Sequence, residues 1–154
     1  MSEDSRVSLI LFNEQAVAVD EGRVVETARR AVLAEKVVGE VSILLVDISR
    51  MAELSSRYLD EPGPTDVLAF PIDGRVSAPP DGDTPGGGPP VIIGEVVLCP
   101  EVARDQASDG LDEELDLLVV HGVLHLLGYD HDTTEAAAAM RAREESVVGR
   151  GGRE

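Results

Sequence analysis

The chain carries no tryptophan, one cysteine, two tyrosines and two phenylalanines among 154 residues. With so few rings, the core must be built from Val, Leu, Ile and Ala. A lone cysteine, Cys99, excludes an internal disulfide framework and suits a reducing compartment. No run of about 20 apolar residues is present, which excludes a hydrophobic membrane-spanning helix. The opening "MSEDSR" is acidic and polar with no apolar segment behind it, so no secretory signal is read there and a cytoplasmic location is expected. Basic side chains are also scarce. Thirteen Lys and Arg face 30 Asp and Glu, for a net charge of -17. That balance argues against a non-specific polyanion binder, because phosphates are normally met by Lys and Arg; its plain role is solubility. The deficit is uneven. Residues 1–77 hold 8 basic and 14 acidic groups, and residues 78–154 hold 5 and 16. Arg23, Arg29, Arg30, Lys36, Arg50 and Arg57 leave room for a local basic patch in the first half, although scattered solvated side chains are the simpler reading.

What is present fits one globular domain spanning 1–154, with 43% hydrophobic residues and a mean hydropathy near zero. "VSLILF" (7–12), "EVSILLVD" (40–47), "PTDVLAFPI" (64–72) and "VIIGEVVLC" (91–99) read as four strands. Pro71 lies near the end of the third, where proline is tolerated at an edge. Helical spacing of apolar residues marks 21–37, with Asp20 as N-cap, and 48–59, where Met51, Leu54 and Tyr58 recur at i, i+3 and i+7. A short helix is expected near Glu101. The stretch 111–128 is the strongest helix. Asp112, Glu113 and Glu114 complement its dipole, its second half is apolar on nearly every side, and Gly128 stops it. A last helix spans 133–148, capped by Thr133 or Thr134. Ten of the 18 residues in 73–90 are Gly or Pro, so no regular element can persist and a flexible loop is expected. Residues 149–154 read as a frayed tail. The fold class is α/β or α+β: about four strands in a mixed sheet packed with helices, with a metal site on the buried helix and the turn after it.

All three histidines fall in "HGVLHLLGYDH" (121–131). His121 and His125 are four apart on one helix, hence on one face and one turn apart. Gly128 permits a sharp reversal that carries His131 back toward them. Three imidazoles on an otherwise apolar segment would each be costly to bury without a shared partner. They suit one zinc ion best, although ligand type alone leaves nickel, copper and iron open. Three protein ligands leave a fourth position for water, the pattern of a catalytic site, and that water is the expected nucleophile. Asp130 is placed to accept an imidazole N–H from a ligand, and also reads as a solvated turn carboxylate.

The spacing H-x-x-x-H-x-x-G-x-x-H matches that of metzincin proteases except that their Glu, the general base, is replaced by Gly122. Peptide hydrolysis needs that base and an acid for the amine. Phosphodiester hydrolysis leans more on charge stabilisation of phosphoryl oxygens. Gly122 therefore tilts the reading toward a phosphodiester, and no general base is assigned. Thr65 and Asp66 are candidates to line the substrate cleft, as is Arg57; each also reads as an ordinary turn, cap or surface residue. Cys99, between Leu98 and Pro100, reads as a buried small hydrophobe.

With these residues in view, the chain resembles the YbeY family of endoribonucleases and rRNA maturation factors. "HGVLHLLGYDH", "PTDVLAFP" (64–71) and "GEVVLCPEVA" (94–103) carry the resemblance, which runs from about residue 7 to 147. It implies one Zn2+ on His121, His125 and His131. It implies cleavage of single-stranded RNA in maturing the 3′ end of small-subunit rRNA, and a part in ribosome quality control. The implied partners are precursor rRNA, the small ribosomal subunit, one of its proteins and the Era GTPase, with no membrane. An arginine that many members carry before "PTDVL" falls on Leu59 here, with Arg57 two residues earlier. The other functions in view are a non-catalytic, zinc-containing ribosome assembly factor and, further off, a metalloprotease.

Overall fold

A computed structural model of the chain describes residues 7–58, 65–71, 92–108, 110–128, 133–144 and 147. The expected loop 73–90 and tail 149–154 lie outside these residues. Within them the order is β1 (Val7–Glu14), α1 (Glu21–Ala34), β2 (Gly39–Val46), α2 (Ile48–Tyr58), β3 (Val67–Pro71), β4 (Ile92–Leu98), α3 (Pro100–Gln106), α4 (Leu111–Leu126) and α5 (Thr134–Glu144). The four strands form one mixed sheet in the order β1-β2-β4-β3. β1 and β4 both run parallel to β2, and β3 runs antiparallel to β4 on the outer edge. The edge position suits Pro71, which has no N–H to give to a neighbour.

Two strand and helix ends differ from the sequence reading for identifiable reasons. β1 continues through Asn13 and Glu14, polar residues that read as a strand stop, because they pair with Leu45 and Val46 of β2. α1 ends at Ala34 rather than 37, because Lys36 turns into the left-handed region (φ 58°). Its start is as expected: the Asp20 side chain accepts the Arg23 N–H at 3.1 Å.

Alternation along the strands separates two layers. Leu9, Leu11, Val41, Ile43, Leu45, Val96, Leu98, Val67 and Ala69 meet the helices α1 and α4, with Met140 of α5 joining the same core. On the other face α2 lays Met51 and Leu54 on Val46, Leu68, Val97 and Cys99. α2 covers this face only in part. Ile10, Phe12 and Ile92 remain exposed.

The buried helix α4 is fixed at several points. Asp116 takes a two-point hydrogen bond from the Arg23 guanidinium, at 3.2 and 2.8 Å, and accepts the hydroxyl of buried Thr27 at 3.1 Å, which ties α4 to α1. Against the sheet, α4 approaches closest at Gly122, where a Cβ would lie 2.8 Å from Val96 Cγ1. One turn on, Leu126 fills the space beside Gly94, where a Cβ would lie 2.7 Å from Leu126 Cδ2. Gly94 sits at an irregularity in the β2–β4 register, with Glu40 opposite Ile92 and Val41 opposite Gly94, so that Ile93 is left over and turns into the core. No helix among the described residues is long and apolar enough to cross a membrane.

Candidate metal centre

The local sequence explains why α4 carries two kinds of residue. Leu115, Leu118, Val119, Val120, Val123, Leu124 and Leu126 are all buried. His121 and His125 are half-buried, on a side that the sheet does not occupy. Their ring centroids are 4.6 Å apart and the planes meet nearly at right angles (78°). The helix then closes as expected. Leu127 N–H reaches the carbonyls of Val123 and Leu124, Gly128 N–H reaches His125, and Gly128 adopts φ 103°, in the left-handed region that favours glycine. His131 and Asp130, expected beyond that turn, lie outside the described residues. Among the described residues no three His, Cys, Asp or Glu side chains converge to hold an ion.

A residue that sequence reading did not single out completes the picture. Glu144, on α5, places Oε2 2.6 Å from Nδ1 of His121. Its side chain is 19% exposed. α5 is held in place by Met140 in the core and by the Arg143 guanidinium on Glu35 at 2.7 Å, and beyond its end the Val147 carbonyl accepts from Arg30. In sequence, "RAREE" looks like an ordinary solvated charge run. Only the tertiary contact, across 23 residues, distinguishes Glu144.

The donor set fits a transition-metal ion. Two imidazoles share one helix face at contact distance. One already has Nδ1 engaged by a carboxylate, which leaves Nε2 as the nitrogen that would face an ion. Zinc suits such nitrogens. With His131 as a third ligand, the set would be that of a site with an open position.

Gly122 acquires a second meaning. Its missing side chain faces Val96 and Val67, so a Glu at this position would be driven into the sheet. In this packing a glycine is required for the helix to approach β4, whatever the chemistry.

The remaining candidates are placed as follows. Thr65 and Asp66 are half-buried at the entrance to β3. The Thr65 hydroxyl reaches toward Asp66 at 3.5 Å, and the Asp66 carbonyl accepts the Cys99 N–H. The next residue, Val67, is the one whose methyl would meet a Cβ at Gly122 at 3.4 Å, so this strand end adjoins α4. Arg57 is exposed on α2, the helix on the opposite face of the sheet from α4. Leu59 lies outside the described residues. Cys99 is fully buried, and desolvation pushes its thiol up, which suppresses thiolate chemistry. A shallow cavity of about 450 Å³ lies elsewhere, between Ala16, Val17, Asp47, Ile48, Ser49 and Glu101. Its carboxylates are occupied in capping α2: Asp47 accepts the Arg50 N–H, and Glu101 accepts the Ile48 N–H.

Several arginines of the N-terminal half are already engaged. Arg23 lies against Asp112, Glu113 and Asp116, and the hydrogen bond to Asp116 raises its already high pKa. Arg29 donates to the Val7 carbonyl, Arg30 to that of Val147, and Arg50 pairs with Glu53.

The family model described as endoribonuclease YbeY matches residues 7–151. An endoribonuclease YbeY of Salinispora tropica is 46% identical over 148 residues, covering 92% of this chain and 94% of that protein. One from Acidothermus cellulolyticus is 44% identical over 147 residues, covering 90% and 87%. Among solved structures, the solution structure of TM1509 from Thermotoga maritima has the same fold, with a TM-score of 0.56 at 22% identity, covering 92% of this chain and 90% of that one.

Proposed function

The chain belongs to the endoribonuclease YbeY family, and from that premise we propose that it is a zinc-dependent endoribonuclease that cleaves single-stranded RNA. The observation that carries the chemistry is the pair His121 and His125 on one side of a buried helix, with the first ring held by Glu144. His121, His125 and His131 hold the ion in this reading. When bound, zinc supplies Lewis acidity, neutralising phosphoryl charge and lowering the pKa of a water. The protein's own part is to orient. The helix fixes the two rings one turn apart, Glu144 Oε2 meets Nδ1 of His121 at 2.6 Å, and the apolar bed beneath α4 keeps water from approaching the rings from the sheet side. Thr65 and Asp66, at the strand end beside α4, are the candidates to line the RNA path.

The role proposed for this activity is maturation of the small-subunit rRNA 3′ end and ribosome quality control, in the cytoplasm. Its partners would be precursor rRNA, the small ribosomal subunit, one of its proteins and the Era GTPase. The charge of -17 and the arginines already held by carboxylates and carbonyls favour a substrate presented by a partner over tight capture of free RNA. The same observation gives some weight to a second reading, a zinc-containing assembly factor that does not cleave.

The deciding experiment pairs metal analysis with two substrates. Purified protein and His125→Ala are incubated with single-stranded RNA and with unfolded protein. The expected outcome is RNA cleavage that disappears together with the zinc in the variant. Cleavage of the polypeptide instead would replace this reading with a protease. Stoichiometric zinc without RNA cleavage, on free or ribosome-bound substrate, would favour the assembly factor.

A further inference from the structure

The Glu144–His121 contact has the features of a built interaction. At 2.6 Å it has the short length of a charge-assisted hydrogen bond. Glu144 is largely covered, so ordering it there withdraws a carboxylate from water, which is costly unless the contact is made well. The residues around it also fix its position. Arg143, its neighbour on α5, donates to Glu35 at 2.8 and 2.7 Å and so anchors α5 to the C-terminal end of α1. Met140, one turn earlier, is buried at 2% exposure. These two anchors deliver the Glu144 carboxylate to one ring nitrogen.

A neutral imidazole has two tautomers, and only the nitrogen without hydrogen can ligate a metal. A carboxylate can only accept. Placed at Nδ1, it selects the tautomer that carries hydrogen there, orients the ring, and makes the other nitrogen more basic. We propose that Glu144 is a positioning residue for His121: its Oε2 holds the proton on Nδ1 and so commits Nε2 to the zinc ion. This rests on the zinc reading above for its metal half. The tautomer half concerns the zinc-free protein and stands separately.

The test has two readouts, neither of them activity. In zinc-free protein labelled with 15N-histidine, nitrogen shifts report which nitrogen of His121 carries hydrogen. The wild type is expected to show Nδ1–H, and Glu144→Ala to lose that preference. In chelator competition, Glu144→Ala is expected to bind zinc about 10- to 100-fold more weakly. Glu144→Gln, which keeps a neutral acceptor and the side chain's shape, is expected to fall between the two, and it serves as the test should the alanine variant not fold. Arg143→Ala removes the neighbouring anchor of α5 without touching His121. It is expected to leave the Nδ1 proton in place and to change zinc affinity by less than Glu144→Ala does. Unchanged tautomer and unchanged affinity in both Glu144 variants would overturn the proposal, as would an equal loss in Arg143→Ala, which would assign the effect to docking of α5. A wild-type protein with a Glu144-dependent Nδ1 proton but no affinity for zinc would overturn the zinc reading and the metal half of this proposal together, and leave the tautomer half standing.

Discussion

The sheet-facing and α5-facing sides of α4 obey different rules. On the first, Val119, Gly122, Val123 and Leu126 recur at helical spacing, all of them buried, and at Gly122 there is no room for one further carbon. On the second, two half-buried histidines rest against each other, and the first is met by the Glu144 carboxylate. The sheet side determines where the helix lies. The α5 side engages one nitrogen of the first ring. Position is thus set by many apolar contacts that resist change, and chemistry by a few polar ones that add little to folding.

That contrast can be broken in a definite order. Replacing His121 or His125 by Ala is expected to have the largest functional effect. Zinc binding and RNA cleavage should fall by more than the roughly 10- to 100-fold typical of an outer residue, while the fold survives. Zinc content, cleavage and circular dichroism of the same samples check this. Gly122→Glu should do the reverse. An unpaired carboxylate forced against Val96 and Val67 is expected to cost on the order of 3–5 kcal/mol, a large part of a domain's stability, without conferring peptidase activity. Urea denaturation measures the first and a peptide assay the second. Gly122→Ala sharpens the comparison. Overpacking against a stiff valine costs about 1–3 kcal/mol, and the gain in helix propensity returns up to about 1. A net loss on the order of 1 kcal/mol is expected; a gain in stability would show that α4 can lift from β4.

The smallest effect is expected on the far face of β4. Burial, and then the nearby Glu14 charge, push the Glu95 carboxyl above its ordinary range. A carboxyl raised on folding lets the folded state hold its proton longer. Its ionisation therefore costs stability as pH rises through the shifted pKa, and that cost is absent in acid. Glu95→Gln should raise the melting temperature slightly at neutral pH, and the difference should vanish as pH is lowered. A difference that grew in acid would contradict the sign.

Much of this was legible in the sequence. Four apolar runs became four strands, Asp20 caps α1, α4 stops just before Gly128, which takes a positive φ, and Cys99 is buried. The His121–His125 pair was also readable, because a spacing of four on a helix is a local fact. The strand order was not. That β4 enters the centre and β3 turns antiparallel at the edge is decided by which faces must be covered. Glu144 was illegible for the same reason. Nothing in its neighbourhood in the chain separates it from Glu145, and its partner is 23 residues away. Gly122 was legible as an anomaly for one cause of two: the sequence shows a base that is missing, and the structure adds a strand that is too near.

The two close approaches of α4 also work as a vernier. On the strand, the contacts fall at Gly94 and Val96, two residues apart; on the helix, at Leu126 and Gly122, four apart. Two strand steps span about 6.7 Å, and four helical steps span about 6 Å. The graduations nearly coincide, so helix and strand mesh at both marks with little distortion. His121 and His125 stand one residue behind each mark and inherit that setting. A single residue inserted into α4 between Asp116 and His121 would carry Gly122, Leu126 and both rings together, turned by about 100° relative to the part of the helix that Asp116 ties to α1. Keeping the marks meshed would break that tie; keeping the tie would turn the rings away from Glu144 with every ligand atom still in the chain.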